Sequence, residues 1–417
     1  MSTQDQNTQA ASADAPLDDK SRFDIVIVGG GIVGLSLANE LVDTGFTVAV
    51  VEQSELKPVS DEADCRVSAI NRFALQRFQQ TGVFDSELAD RLCVFEKMFV
   101  WDQTGAGQIQ FDSAELGVPE LGAIVENKVL QHMLLDRVKQ AENISYLCPQ
   151  QISKITYPYD DHPADKDSQV MSQLQLSSGR KIQARLLVGA DGVNSKVRSG
   201  ASIQRNRKSY QQQALVCNVR TSEDHQNTAW QCFMPAGPLA FLPLYNGQCS
   251  IVWSLDDAQA QQMMSLDDDA FSSMLAQAAE FRLGEILHIS QRYLYPLSHG
   301  HVNEYVKPGL ALIGDAAHNI HPLAGQGANL GIADAFALAD VLLTARKAGR
   351  QWAALHTLSK YQRQRKGANQ LMEASMTGFK QLFGEKNAFI SELRNAGLSL
   401  VDHLPALKYR IIKQALG

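Results

Sequence analysis

Residues 23–52 constrain the fold more tightly than any other stretch of the chain. Phe23 to Val28 (FDIVIV) is an apolar run of strand length, Gly31 to Thr44 reads as a helix ended by Gly45, and Phe46 to Val51 is a second apolar run. Two short apolar strands joined by a helix form a parallel crossover, which belongs to a sheet covered on both faces. The turn Gly29-Gly30-Gly31-Ile32-Val33-Gly34 fits G-x-G-x-x-G, and Glu52 closes the second strand 18 residues after Gly34. A glycine fingerprint alone is weak evidence. Set between strand and helix, with an acid at this distance, it favours a dinucleotide site over a merely tight turn. The helix start would hold a pyrophosphate, and Glu52 would accept hydrogen bonds from an adenosine ribose while repelling a 2′-phosphate.

A second run, LALIGDAAHNIHPLAGQGANLGIAD at 310–334, is hard to explain by packing. Leu310 to Ile313 has the character of a buried strand, and Gly314-Asp315 ends it with an outward carboxylate. Gly325, Gly327 and Gly331 allow close backbone approach to a ligand, and Ala328-Asn329 open a helix whose free N–H groups can face an anionic ring.

Composition narrows the class. The 417 residues, 45% hydrophobic and 20% charged, suffice for two domains with ordinary cores. The six cysteines are scattered without a C-x-x-C pair, against a zinc site or disulfide framework and in keeping with a reducing cytoplasm. Met1 to Arg22 is polar and acidic and reads as a disordered tail rather than a signal peptide. No window offers the roughly 20 apolar residues of a membrane-spanning helix. The net charge of −7 is uneven: residues 341–417 carry 13 Lys/Arg against four acids (+9), and the rest carries 25 against 41 (−16). A basic helical end can dock on an anionic membrane surface or an acidic partner, although a solvated face is the commoner reason for such a bias. Nucleic acid is a poor candidate on an acidic chain without interleaved aromatics.

Between the two ligand motifs, residues 60–95 and 126–140 read as helical, and 150–190 as strands with a hairpin turn at Ser177–Arg180. Residues 210–255 alternate as an antiparallel sheet does, and the chain from Asn329 onward is almost wholly helical. The expected class is α/β, with a parallel-sheet domain interrupted by an antiparallel-sheet domain and a helical C-terminus. The expected boundaries are a tail at 1–22, a nucleotide-binding domain at 23–95, 125–205 and 290–366, a β-sheet substrate domain at 96–124 and 206–289, and a helical segment at 367–417.

GGGIVG with Glu52, GADG at 189–192 and GDAAH at 314–318 followed by HPLAGQGANLG at 321–331 together resemble the single-component FAD aromatic hydroxylases of the para-hydroxybenzoate hydroxylase fold. Within them the chain is similar to the ubiquinone-biosynthesis hydroxylases. CRVSAIN (65–71), IVEN (124–127) and AFLPL with CSIVWSL (240–255) look most like the C5-hydroxylase, or polyprenylphenol hydroxylase, branch. The resemblance implies a Rossmann-like FAD-binding domain. It also implies a monooxygenase that uses NAD(P)H as a transient reductant and O2, through a C4a-hydroperoxyflavin, to hydroxylate a polyprenylated phenol. It places Gly29, Gly31, Gly34 and Glu52 at the ADP half of FAD and Arg66 near the pyrophosphate and ribityl chain. Asp191 would order the loop beside the cofactor, and Asp315 would bond a ribityl hydroxyl. Pro322 would pack near the ring, with Gly325, Gly327, Ala328 and Asn329 aiming N–H groups at its edge. No side chain is assigned the chemical step, since the flavin carries it.

His318 and His321 are expected to be structural, because no nearby acid completes a metal set. Phe241, Pro243 and Trp253 are candidates for the substrate wall, and Phe379, Leu382, Phe383, Phe389 and Ile390 for an apolar docking face. The expected location is cytoplasmic, peripheral to the inner face of the membrane. A hydroxylase of soluble phenols and a non-catalytic flavoprotein scaffold remain as alternatives at this stage.

Overall fold

The computed structural model describes residues 21–105, 107–157, 171–319 and 327–384. A parallel sheet grows from the expected crossover. Strand Arg22–Val28 is central, because its side chains beyond Asp24 are apolar and can be covered on both faces. It pairs in parallel with Lys181–Gly189 on one side and Val48–Val51 on the other. Leu310–Leu312 and Ile144–Leu147 extend the sheet outward, again in parallel. A hairpin of Ile152–Thr156 and Ser172–Leu176 continues it antiparallel from the first half of Lys181–Gly189.

The register decides where the ligand motifs emerge. Val28 stands beside both Val51 and Gly189, and Gly189 beside Leu312. Four strands therefore end level, and Gly29, Glu52, Asp191 and Asp315 leave the sheet along one carboxyl edge. Open α/β sheets bind ligands at that edge. The first helix is shorter than expected, Ile32–Glu40, and the chain turns back through Gly45 at φ +76°.

The second sheet is built on the 17-residue strand Arg205–Thr221, which pairs antiparallel with Tyr293–Val302 and with Cys249–Asp256. Leu239–Pro243, Thr228–Phe233, Lys97–Asp102 and Gln108–Asp112 follow in order. The sheet is not purely antiparallel as expected: Lys97–Asp102 joins Thr228–Phe233 in parallel, because it enters from an earlier part of the chain rather than through a hairpin. One face of this sheet packs Phe241, Ile251 and Trp253 against Phe271 and Leu275 of helix Asp268–Ala278.

Residues 60–95 are not helical throughout. Only Arg72–Gln80 is α-helix, with a 3-10 turn at Glu87–Arg91, and Val67–Asn71 and Cys93–Phe95 are strands on either side of Gly122–Glu126. Pairing with a distant strand overrides local pattern here, and Asn71 marks the switch by accepting the Ala74 N–H at 2.9 Å as helix cap.

Helices Gly327–Lys347 and Leu355–Gly384 close the described chain. The first corrects the expectation that no segment is apolar enough to span a membrane: by length and composition alone, Gly327–Lys347 is. Its apolarity serves the core, since Ile332, Phe336, Leu338 and Leu342 are buried.

Candidate active site

A cleft of about 660 Å³ lies between the carboxyl edge of the parallel sheet and the open face of the second sheet. Its glycine side depends on two close approaches. Gly29 sits at φ +109°, where a Cβ would lie 2.3 Å from the Ala190 carbonyl oxygen, and a Cβ on Gly34 would lie 2.0 Å from the Gly29 oxygen. Both glycines are fixed by backbone packing and sit behind the cleft. Gly31 differs, with nothing within 4 Å of a Cβ and a place in the cleft wall. It caps helix Ile32–Glu40 without a side-chain bond, so the helix start offers free N–H groups to an anion.

Glu52 accepts the Gly30 N–H at 2.6 Å and the Ser54 N–H at 3.0 Å, which fixes its carboxylate beside the glycine turn. Asp191 supports the start of the short helix Lys196–Gly200, whose N-cap is Ser195, by accepting from Lys196 N at 2.7 Å and Val197 N at 3.2 Å. Its other oxygen is buried with no hydrogen-bond partner among the described residues. Arg198, buried nearby, donates to the Val193 and Ala316 carbonyls and so fastens the GADG loop to the turn that carries Asp315.

Asp315 forms the cleft floor. Its side chain opens to the cleft but is enclosed on the protein side, and burial raises its carboxyl above the usual range against the opposing pull of His318 and Arg205. No described residue donates a hydrogen bond to it, as suits a carboxylate reserved for a ligand hydroxyl. Gly327 and Ala328 reach the cleft at the start of their helix. The Asn329 side chain turns the other way, donating to Ala69 O at 2.7 Å and accepting from Asn71 N at 3.1 Å, so it anchors the helix to strand Val67–Asn71. Gly331 is demanded by packing, since a Cβ there would lie 2.5 Å from a Val33 methyl. Pro322, Gly325 and His321 lie outside the described residues.

Arg66 lines the cleft with its guanidinium 5.3 Å from the Tyr295 ring centroid. Behind it, buried Glu126 accepts the Asp64 N–H at 2.6 Å and pairs with Arg91 at 2.7 Å. Asp64 pairs with Lys128 at 2.8 Å; burial would raise its carboxyl, but Lys128 and the Arg66 N–H outweigh burial and hold it low. Asn127, Lys128 and Gln131 also face the cleft, and Gln131 donates to Gly30 O at 2.7 Å. The sequence reading missed these three. Their signal is a polar i, i+1, i+4 set at the start of helix Asn127–Lys139, on a different face from the buried Val129, Leu130, Met133 and Leu134.

The substrate-wall candidates need correction. Phe241 and Trp253, 1% and 4% exposed, pack in the core beneath the second sheet, and Pro243 is buried away from the cleft. Strand side chains alternate between faces, so Val252 faces the cleft while Ile251 and Trp253 cannot. The apolar side of the cleft is lined instead by Ala214, Val216, Val252 and Leu297 with Tyr295.

His318 is buried, stacks on Tyr305 and bonds Asp334. No group of three His, Cys, Asp or Glu side chains suited to a metal occurs among the described residues. The open glycine turn, the Asp315 carboxylate that no described residue bonds and the cleft volume fit an extended FAD laid along the carboxyl edge.

Comparison with known proteins agrees. The FAD binding domain family matches residues 22–375. The chain is 37% identical to 3-demethoxyubiquinol 3-hydroxylase of Escherichia coli, over 94% of this chain and 98% of that protein. It is 32% identical to the human mitochondrial ubiquinone biosynthesis monooxygenase COQ6, over 94% and 92%. The p-nitrophenol 4-monooxygenase PnpA of Pseudomonas putida shares the fold, with TM-score 0.74 at 18% identity over 95% of this chain and 99% of that one. The chain belongs to the FAD-binding-domain family, as a flavoprotein monooxygenase of the ubiquinone-biosynthesis hydroxylase group with FAD as its cofactor.

Proposed function

We propose that this monooxygenase hydroxylates the ring of a polyprenylated phenol in ubiquinone biosynthesis, using O2 and NAD(P)H as transient reductant. The observation that carries this reading is the apolar wall of Ala214, Val216, Val252 and Leu297 opposite the FAD edge, a surface suited to an aromatic ring with an alkenyl substituent. FAD, when bound, supplies the redox chemistry that activates oxygen. The chain's own part is to bind, orient and keep water out. Asp315 would hold the ribityl chain, the helix start at Gly31 the pyrophosphate, and Glu52 the adenosine ribose. The Gly327 helix start would stabilise negative charge at the ring by about 0.3–1 kcal/mol.

The name of the Escherichia coli relative favours a second substrate, a demethoxyquinol hydroxylated at ring carbon 3. The test is to supply the holoprotein with NAD(P)H, isotopically labelled O2 and either a polyprenylated phenol or a demethoxyquinol. Label in one ring product identifies the substrate. Reductant oxidation without label in either, but with label in a simple phenolic acid, would overturn the prenylated reading.

Val252→Phe places a ring into the cleft from a half-buried position. It is expected to raise KM for the prenylated substrate about tenfold, the scale of an overpacked contact, while FAD content stays unchanged. The basic segment 341–417 is proposed to bring the enzyme to an anionic membrane surface on the cytoplasmic side, where a prenylated substrate resides. Removing residues 385–417 should weaken flotation with anionic liposomes while leaving flavin bound, and unchanged flotation would count against it.

A further inference from the structure

Helix Leu355–Gly384 carries a row of polar side chains that the cleft does not use. Tyr361, Arg365 and Asn369 recur every fourth residue along one face and meet the flavin-binding turn from behind. The Tyr361 hydroxyl donates to Leu312 O at 2.8 Å, at the end of the strand that leads into Gly314-Asp315. Arg365 Nε donates to Asp334 Oδ1 at 2.7 Å, and Asn369 Nδ2 to the same oxygen at 3.3 Å. Asp334, with 0% exposure, gives its other oxygen to the Gly314 N–H at 3.0 Å and to His318 Nε2 at 2.5 Å. One carboxylate thus joins two donors on the helix to two on the turn that presents Asp315.

We propose that Asp334 is a positioning residue that holds the Gly314–His318 turn in its FAD-binding shape, and that Arg365 keeps Asp334 aimed at that turn. The physical case rests on burial. A carboxylate without solvent needs all its partners, and its position is as fixed as they are. Burial alone would raise the Asp334 carboxyl, yet His318 and Arg365 hold it below the usual range, so it stays an acceptor for Gly314. Without Arg365 the charge is undercompensated on the helix side, and the carboxylate shifts or takes a proton. Either change costs the Gly314 N–H its acceptor and loosens the segment on which Asp315 stands.

The test compares Arg365→Met, Arg365→Lys and Asn369→Ala in the holoprotein. FAD release on dilution is read by recovery of flavin fluorescence, local opening by amide hydrogen exchange over residues 313–319, and global stability by thermal unfolding in saturating FAD. Arg365→Met is expected to weaken FAD binding about tenfold or more, the value of one charge-assisted hydrogen bond, and to speed exchange over 313–319. Arg365→Lys should restore most of both. A lower unfolding temperature with unchanged FAD release and exchange would mean a merely structural ion pair and would overturn the proposal. If Arg365→Met does not fold, Asn369→Ala decides the matter, because it keeps the charge pair and removes one donor. Severalfold weaker FAD binding with faster exchange supports the positioning role, and no change in either refutes it.

Discussion

Asp315→Asn is expected to give a folded but colourless protein. The carboxylate stands on the cleft floor without a donor from any described residue, and in the proposed role it would take a ribityl hydroxyl of bound FAD. A hydrogen bond to a charged group contributes about 1.5–3 kcal/mol, so its loss should weaken FAD roughly 10- to 100-fold. Flavin absorbance per protein after gel filtration measures this, and a fully yellow variant would contradict the assigned role. The same substitution should stabilise the FAD-free protein. Because burial raises the folded carboxyl above its unfolded value, ionising it disfavours the fold. The penalty is absent below the ordinary carboxylate pKa, sets in as pH rises toward the raised one, and is complete above it. Thermal unfolding of the FAD-free form should therefore show Asp315→Asn gaining on the parent as pH increases through that window.

Gly34→Ala should be the more damaging change to the fold. Its methyl would stand 2.0 Å from the Gly29 backbone oxygen, and no flexible side chain is there to yield. Helix Ile32–Glu40 would have to lift from strand Arg22–Val28, at a cost of about 3 kcal/mol or more. Poor soluble yield and a sharply lower unfolding temperature are the expected readouts. Gly31→Ala is the matched control: its methyl meets no atom within 4 Å, so the fold should survive. That methyl would still stand over the helix start proposed to hold the pyrophosphate, and FAD content should fall. Equal stability of the two variants would show that the Gly34 contact is not tight.

The parts of the site that lie within one short stretch were legible in the sequence. GGGIVG, GADG and GDAAH each sit at the end of a parallel strand, and matching strand ends bring them together without further information. What depends on facing was not legible. Alternation along Cys249–Asp256 is visible, but which set of side chains looks into the cleft depends on the helices that cover the other face. Trp253 therefore reads as wall from the sequence alone, whereas Val252 is the residue that faces the cleft. Val67–Asn71 reads as helix until Gly122–Glu126 is known to lie beside it. Asp334, Arg365 and Asn369 look like ordinary helix residues, and only tertiary packing reveals them as one buried cluster.

The placement of Leu310–Leu312 beside Lys181–Gly189 also bears on the order of assembly. The strand that presents Asp315 can dock only after more than three hundred residues have been made. Until then the Leu187–Gly189 end of that strand, three apolar or small residues, has no neighbour on that side and is open to other chains. FAD capture is thus a late event in the life of the polypeptide. A nascent chain stalled before residue 310 should aggregate in a way that added FAD cannot prevent, whereas FAD should protect the completed chain.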